Sequence, residues 1–171
     1  MTVPVLLLTG TVGAGKTTIA EAINGELYRR DIAHAALDLD ALIWHWPQTS
    51  RWHQDLLFEN LAAVWSNFAA HGATRLVLAR VLEDVGDLDR YRVAVPGAEI
   101  TVCRVIAPHD MRVERLKRRM QPGEDLDWHL HRTGELHDIL ERAAYEDFVV
   151  ENVHRPVRDV ALEVLTKAGW L

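Results

Sequence analysis

Residues 3–8 are apolar without interruption, the pattern of a strand covered by helices on both faces of a parallel sheet, and with Thr9 they predict a first strand over 3–9. The pattern then changes period. Ile19, Ile23 and Leu27 recur at helical spacing, which predicts a helix over 15–30. A short strand follows over 34–39, then a loop over 41–52 that is rich in tryptophan. A second helix is expected over 53–71, with Leu57, Leu61, Val64 and Phe68 on one face and Gly72 as its stop. Strands are expected over 75–79, 100–107 and 148–150. Helices are expected over 109–120, 128–145 and 156–168, the last with Pro156 in its first turn, and a polar loop over 121–127 contains Pro122 and Gly123. Strands alternating with helices, with no repeat and no linker, predict one α/β domain: a roughly five-stranded parallel sheet between two helical layers.

Composition narrows the class. A chain of 171 residues, 49% of them hydrophobic, is large enough for one full core. The formal net charge of −6 argues against a general nucleic-acid or membrane-surface binder, and no apolar run approaches the ~20 residues of a membrane span. The first apolar run is too short for a secretory signal, so no cleaved leader and a cytoplasmic address are expected. Cys103 is the single cysteine and sits in an apolar stretch, which reads as core filling and leaves no cysteine metal site or disulfide. Lysine is confined to positions 16, 117 and 167, so most of the positive charge is arginine, the better fork for phosphate.

Between the first strand and the first helix stands Gly10-Thr11-Val12-Gly13-Ala14-Gly15-Lys16-Thr17, the spacing G-x-x-x-x-G-K-[ST] of a phosphate-binding loop. Glycines let the backbone curl so that consecutive amides face an anion, and the helix N-terminus points at the same place. Lys16 supplies a mobile cation for the terminal phosphates, Thr17 a hydroxyl for Mg²⁺, and Thr18 extends the cradle. In parallel sheets ligands gather at the carboxyl ends of the strands. Those ends carry this loop, Asp38 and Asp40, Arg80 and Glu83, Pro108 and Asn152.

Asp38 and Asp40, two residues apart at the end of the second strand, are expected to point the same way. One carboxylate can assist a metal and the other can take the proton of an attacking hydroxyl. A phosphate loop followed by Asp-x-Asp in fewer than 200 residues resembles the small P-loop kinases: shikimate, gluconate and adenylylsulfate kinases, chloramphenicol phosphotransferase and the nucleoside monophosphate kinases. The resemblance implies a metal-side role for Asp38 and a substrate and base role for Asp40. Residues 40–42, Asp-Ala-Leu, also resemble the Asp-x-Leu of chloramphenicol phosphotransferase, whose aspartate is the proposed base.

Arg112, Arg115 and Arg119 share one helix face, and the polar loop after them resembles the lid of these kinases, placed at about 118–130. Arg115-x-x-x-Arg119 resembles the adenylate kinase pattern, which implies one arginine stacked on adenine and the next on phosphate. Arg132 falls on the inward stripe of its helix and requires an anion, for which a bound phosphate is favoured over Glu135, Glu83 or an aspartate. The third strand ends in Arg80 where many nucleotide-hydrolysing proteins place an aspartate, which weakens a GTPase or motor reading and leaves Arg80 to an anionic acceptor or an ion pair with Glu83 or Asp84. Trp44, Trp46 and Trp52, beside His45 and His53, offer flat apolar faces for a substrate or fill a gap. The histidines lack zinc spacing.

The sequence therefore predicts an ATP- and Mg²⁺-dependent phosphotransferase acting on a small-molecule hydroxyl. Gly10, Thr11, Val12, Gly13, Ala14, Gly15, Lys16, Thr17, Thr18, Arg115 and Arg119 would hold the nucleotide. Thr17 and Asp38 would hold the metal. Lys16, Asp40 and Arg132 would be catalytic, and Asp40, Trp44 and Arg80 would meet the acceptor. A nucleoside monophosphate kinase and a non-catalytic nucleotide-binding module are the alternatives. The expected partner is the small-molecule acceptor, with no nucleic acid and no membrane, in a monomer or homodimer.

Overall fold

The first strand alternates its side chains between two cores, and this fixes the layers. In a computed structural model of the chain, which describes residues 2–47 and 54–171, β1 (Val3–Thr9) is the central strand. Leu6 and Leu8 face one helical layer together with Ile19, Ile23, Leu27, Val160 and Val164. Val5 and Leu7 face the other, with Leu57, Leu61, Trp65 and Tyr91. Burial on both sides is why the strand reads as a continuous apolar run.

The elements follow in the order β1, α1 (Lys16–Arg29), β2 (Ala35–Asp38), a 3-10 turn (Leu39–Ile43), α2 (Gln54–Ala70), β3 (Leu76–Ala79), α3 (Asp87–Ala94), β4 (Ala98–Ile106), α4 (His109–Arg119), α5 (Glu124–Ala143), β5 (Phe148–Glu151) and α6 (Val157–Lys167). All strand pairs are parallel, in the order β2-β3-β1-β4-β5. The order reverses direction at β1, so the crevice at its carboxyl end is where this topology accepts a ligand.

Four local expectations change. Asp40 is not on a strand: β2 ends at Asp38, whose carboxylate accepts the Asp40 amide at 3.0 Å and turns the chain into the 3-10 segment. The buried stripe of α2 runs Leu57, Phe58, Leu61, Trp65, while Phe68 is exposed, because Trp65 continues the i+4 row with a larger apolar surface. The eight-residue helix α3 has only Tyr91 and Ala94 buried, too few positions to leave a period in the sequence. The polar loop is short, since Gly123, with φ +153°, starts α5 at Glu124 rather than at 128. Cys103 is fully buried, and burial pushes its thiol up to about 12. Trp52 and His53 lie outside the described residues. Among the described residues no helix is long and apolar enough to cross a membrane.

Candidate active site

The phosphate loop is held open by its carbonyls. Gly10, Gly13 and Gly15 adopt φ of +145°, +81° and +102°, and a Cβ on Gly10 would stand 2.4 Å from the Val105 carbonyl oxygen. Each carbonyl along the curve has a donor. Lys16 Nζ donates to Gly10 O at 2.9 Å and Thr11 O at 3.0 Å. Thr133 Oγ1 donates to Val12 O at 2.7 Å. Arg115 donates to Gly13 O at 3.2 Å and Ala14 O at 3.1 Å, and Asn152 Nδ2 reaches Ala14 O at 2.8 Å. The helix itself takes the next carbonyl, Ile19 N donating to Gly15 O at 3.0 Å. With its acceptors engaged by the surrounding protein, the loop presents amides to the hollow, the polarity an anion requires.

One of these donors, Thr133, has no role in the sequence reading: it is fully buried in α5, and a single hydroxyl leaves no pattern to read. Asn152, placed by the sequence among the strand ends, follows β5 and supplies its amide. Arg112, read as part of the arginine face of α4, has a contact that the face did not reveal. It is buried, donates to Thr11 Oγ1 at 3.0 Å and to Thr133 O at 3.1 Å, and therefore ties α4 and α5 to the loop. Its basicity is lowered by burial, and its Nε has no hydrogen-bond partner. Arg115 serves the loop's outer rim and also donates to Asn152 O at 3.1 Å.

Opposite the loop, Asp38 has two duties. One oxygen caps the 3-10 turn, and the other accepts the Thr17 hydroxyl at 2.6 Å. A threonine hydroxyl beside a carboxylate is the hard-oxygen pair that suits Mg²⁺. Among the described residues no group of three or more His, Cys, Asp or Glu could hold a metal ion. Asp40 is exposed and accepts from Arg80 at 2.6 Å. Arg80 itself is buried, so its charge is matched by Asp40 and not by Glu83 or Asp84.

The anions beside Arg132 are carboxylates: Glu83 at 2.6 Å and Glu135 at 3.3 Å. Burial opposes the Arg132 charge, but these two partners outweigh it and raise the basicity of the group. Lys16 shows the reverse balance. Burial lowers it to about 8, Asp40 and Asp38 resist, and Arg119 and Arg80 add to the lowering.

These groups line one cleft of about 1620 Å³, floored by the phosphate loop and walled by Asp38, Asp40, Arg80, Arg119 and Arg132. Trp44 lines it too and is 80% exposed, so it does not fill a gap between helix and sheet. Val12, Thr17 and Thr18 lie on the floor.

The adenylylsulphate kinase family model matches residues 2–77, fewer than half of the 171. No curated protein sequence matches the chain. Solved structures resemble it over nearly their whole length. A gluconokinase from Sinorhizobium meliloti 1021 shares 19% identity and a TM-score of 0.64, covering 97% of this chain and 91% of that one. The tunicamycin resistance protein of Deinococcus radiodurans gives 16% and 0.67, with 99% and 97% covered. The shikimate kinase of Acinetobacter baumannii, in complex with shikimate, gives 20% and 0.59, with 96% and 92% covered. The chain has the fold of the small P-loop kinases. That kinase fold places the loop, Asp38 and Asp40 at the carboxyl edge of its sheet, where the geometry had already gathered them.

Proposed function

We propose that the protein transfers the γ-phosphate of ATP to a hydroxyl of a small molecule. The observation that carries this reading is the facing of two halves: an amide-lined loop with Lys16 and Thr17, and the Asp38–Asp40 turn that reaches Thr17 across the cleft. Asp40 compensates the buried Arg80 and yet stays exposed in the same cleft, where an acceptor hydroxyl can reach it.

The loop amides and Lys16 bind the β- and γ-phosphates, Lys16 exchanging two carbonyl partners for phosphate oxygens. Thr17 and Asp38 would hold Mg²⁺, which supplies charge neutralisation between the phosphates. Asp40 orients the acceptor hydroxyl and takes its proton, while Arg80 keeps that carboxylate in place. Arg119, at the end of α4, adds positive charge for the oxygens of the moving group, and the segment around 118–130 closes as a lid to exclude water. Arg132 fixes the wall through Glu83 and Glu135. Trp44 gives the acceptor a flat apolar surface. The names of the similar structures support the same chemistry, since gluconate and shikimate are both hydroxyl compounds. A cytoplasmic monomer or homodimer that binds no nucleic acid and no membrane fits this role.

ADP release measured over a panel of alcohols tests the reading. Release that depends on the acceptor and is lost in Asp40→Asn supports a kinase. Tight nucleotide binding with no acceptor-dependent release supports a non-catalytic module instead.

A further inference from the structure

Apart from Arg155, which is paired with Glu163, the lysine and arginines that line the cleft divide into two groups. At the polyphosphate end, Lys16 and Arg115 donate only to backbone carbonyls, and Arg119 lowers the basicity of Lys16 by its own charge. At the acceptor end, Arg80 and Arg132 are both matched by carboxylates, Arg80 by Asp40 at 2.6 Å and Arg132 by Glu83 at 2.6 Å and Glu135 at 3.3 Å. Their side chains are only 10% and 15% exposed, so each guanidinium depends on its carboxylates for compensation, while Asp40, Glu83 and Glu135 are 60%, 40% and 46% exposed and line the cleft. Asp84 and Asp87 line the same end. The cation nearest Asp87 is Arg90, 3.9 Å away and engaged by Asp55 at 2.5 Å. Among the described residues the acceptor end is therefore net negative.

Resting on the phosphotransferase reading, we propose that the acceptor carries no anionic group: Asp40, Glu83 and Glu135 hold Arg80 and Arg132 so that the cleft rejects carboxylated, sulfated and phosphorylated alcohols and admits neutral or amino-bearing ones. Selectivity here works by repulsion. An anion entering the acceptor end meets carboxylates first and finds both guanidinium groups already paired. A neutral polyol can hydrogen-bond to the same carboxylates, and an ammonium group gains from them. Glu83 and Glu135 are then the specificity-determining residues, and removing their charge converts Arg132 into an anion receptor.

The test uses the full chain with a non-hydrolysable Mg·ATP analogue filling the phosphate loop through the γ-phosphate position, so that an added anion can report only the acceptor end. Sulfate is the probe, titrated by calorimetry into the wild type, Glu83→Gln and the double variant Glu83→Gln/Glu135→Gln; affinity for the analogue shows that each variant is folded. The expected result is no saturable sulfate binding to the wild type, and binding at least tenfold tighter in the variants than any wild-type signal. The same three proteins are offered gluconate, sorbitol and glucamine, which share one carbon skeleton and differ in charge, and affinity should fall in the order glucamine, sorbitol, gluconate in the wild type. Saturable wild-type binding of sulfate or gluconate overturns the proposal. So does a lack of sulfate binding in every variant that retains the analogue, because the carboxylates would then not be what excludes anions. Failure of the phosphotransferase reading shows itself separately, as absent phosphoryl transfer to any alcohol whatever its charge.

Discussion

Lys16 is a cation that folding has made easier to discharge. Burial brings it to about 8, against an unfolded value of 10.5, so near pH 8 about half of the nucleotide-free molecules have it neutral. A polyphosphate in the loop restores the charge. Binding of Mg·ATP should therefore take up about half a proton at pH 8 and almost none at pH 6.5, read as the difference in calorimetric heat between two buffers of unlike ionisation enthalpy. The sign for stability also follows. The unfolded chain holds this proton more tightly, so the burden of the buried charge is greatest below pH 8 and is relieved as pH rises from 8 to 10.5. Asp40 has a different test. Replacing it with Asn keeps the shape but removes the base, so turnover should fall about a hundredfold to ten-thousandfold while the nucleotide Kd stays nearly constant. A loss confined to KM would instead mean that Asp40 only binds the acceptor.

Helix α5 acts on the phosphate loop through one hydroxyl. Thr133→Val keeps the volume and leaves Val12 O without its donor, at a cost of about 1–3 kcal/mol. Chemical denaturation should show that loss, and nucleotide affinity should fall with it; a variant that loses stability but binds ATP as before would separate the tether from the loop's geometry. At this scale the sequence was legible where side chains repeat and silent where they act singly. The period of α1 and the unbroken run of β1 reveal those elements, because their buried positions form a pattern: five of the seven residues of β1, and five of the fourteen of α1 at helical spacing. The two turns of α3 bury two residues and remain hidden. In the cleft, the eight-residue glycine and lysine pattern specified the loop, and Asp38 and Asp40 followed from its context. Partners across elements were legible only as options. Glu83 was one of several anions open to Arg132, and which of them it meets, like the burial of Arg112 against Thr11, depends on how α4 and α5 cross the end of the sheet.

Across the molecule, α1 and α6 share an electrostatic clasp. The Glu26 side chain is fully covered and accepts from Arg158 at 2.6 Å and from Arg29 and Arg30, joining α1 to α6. Hydrogen bonds from Arg158, Arg29 and Arg30 hold its carboxyl at about 2, well below 4.5, against the opposing effect of burial. This contribution is present above the unfolded value and lost as pH falls from 4.5 toward 2, so Glu26→Gln should lower the urea midpoint at pH 7 and converge with the wild type near pH 2. None of Glu26, Arg29, Arg30 and Arg158 lines the cleft, so the nucleotide Kd at pH 7 should not change. The whole arrangement, two cores set by one strand and a crevice at its carboxyl end, serves to place an anion cradle opposite Asp40. Calorimetric titration of Mg·ATP into the wild type and into Lys16→Ala addresses that claim most directly. The expected result is saturable one-to-one binding, weakened at least tenfold in Lys16→Ala; no binding heat in folded wild type, or equal affinity in the two proteins, would contradict it.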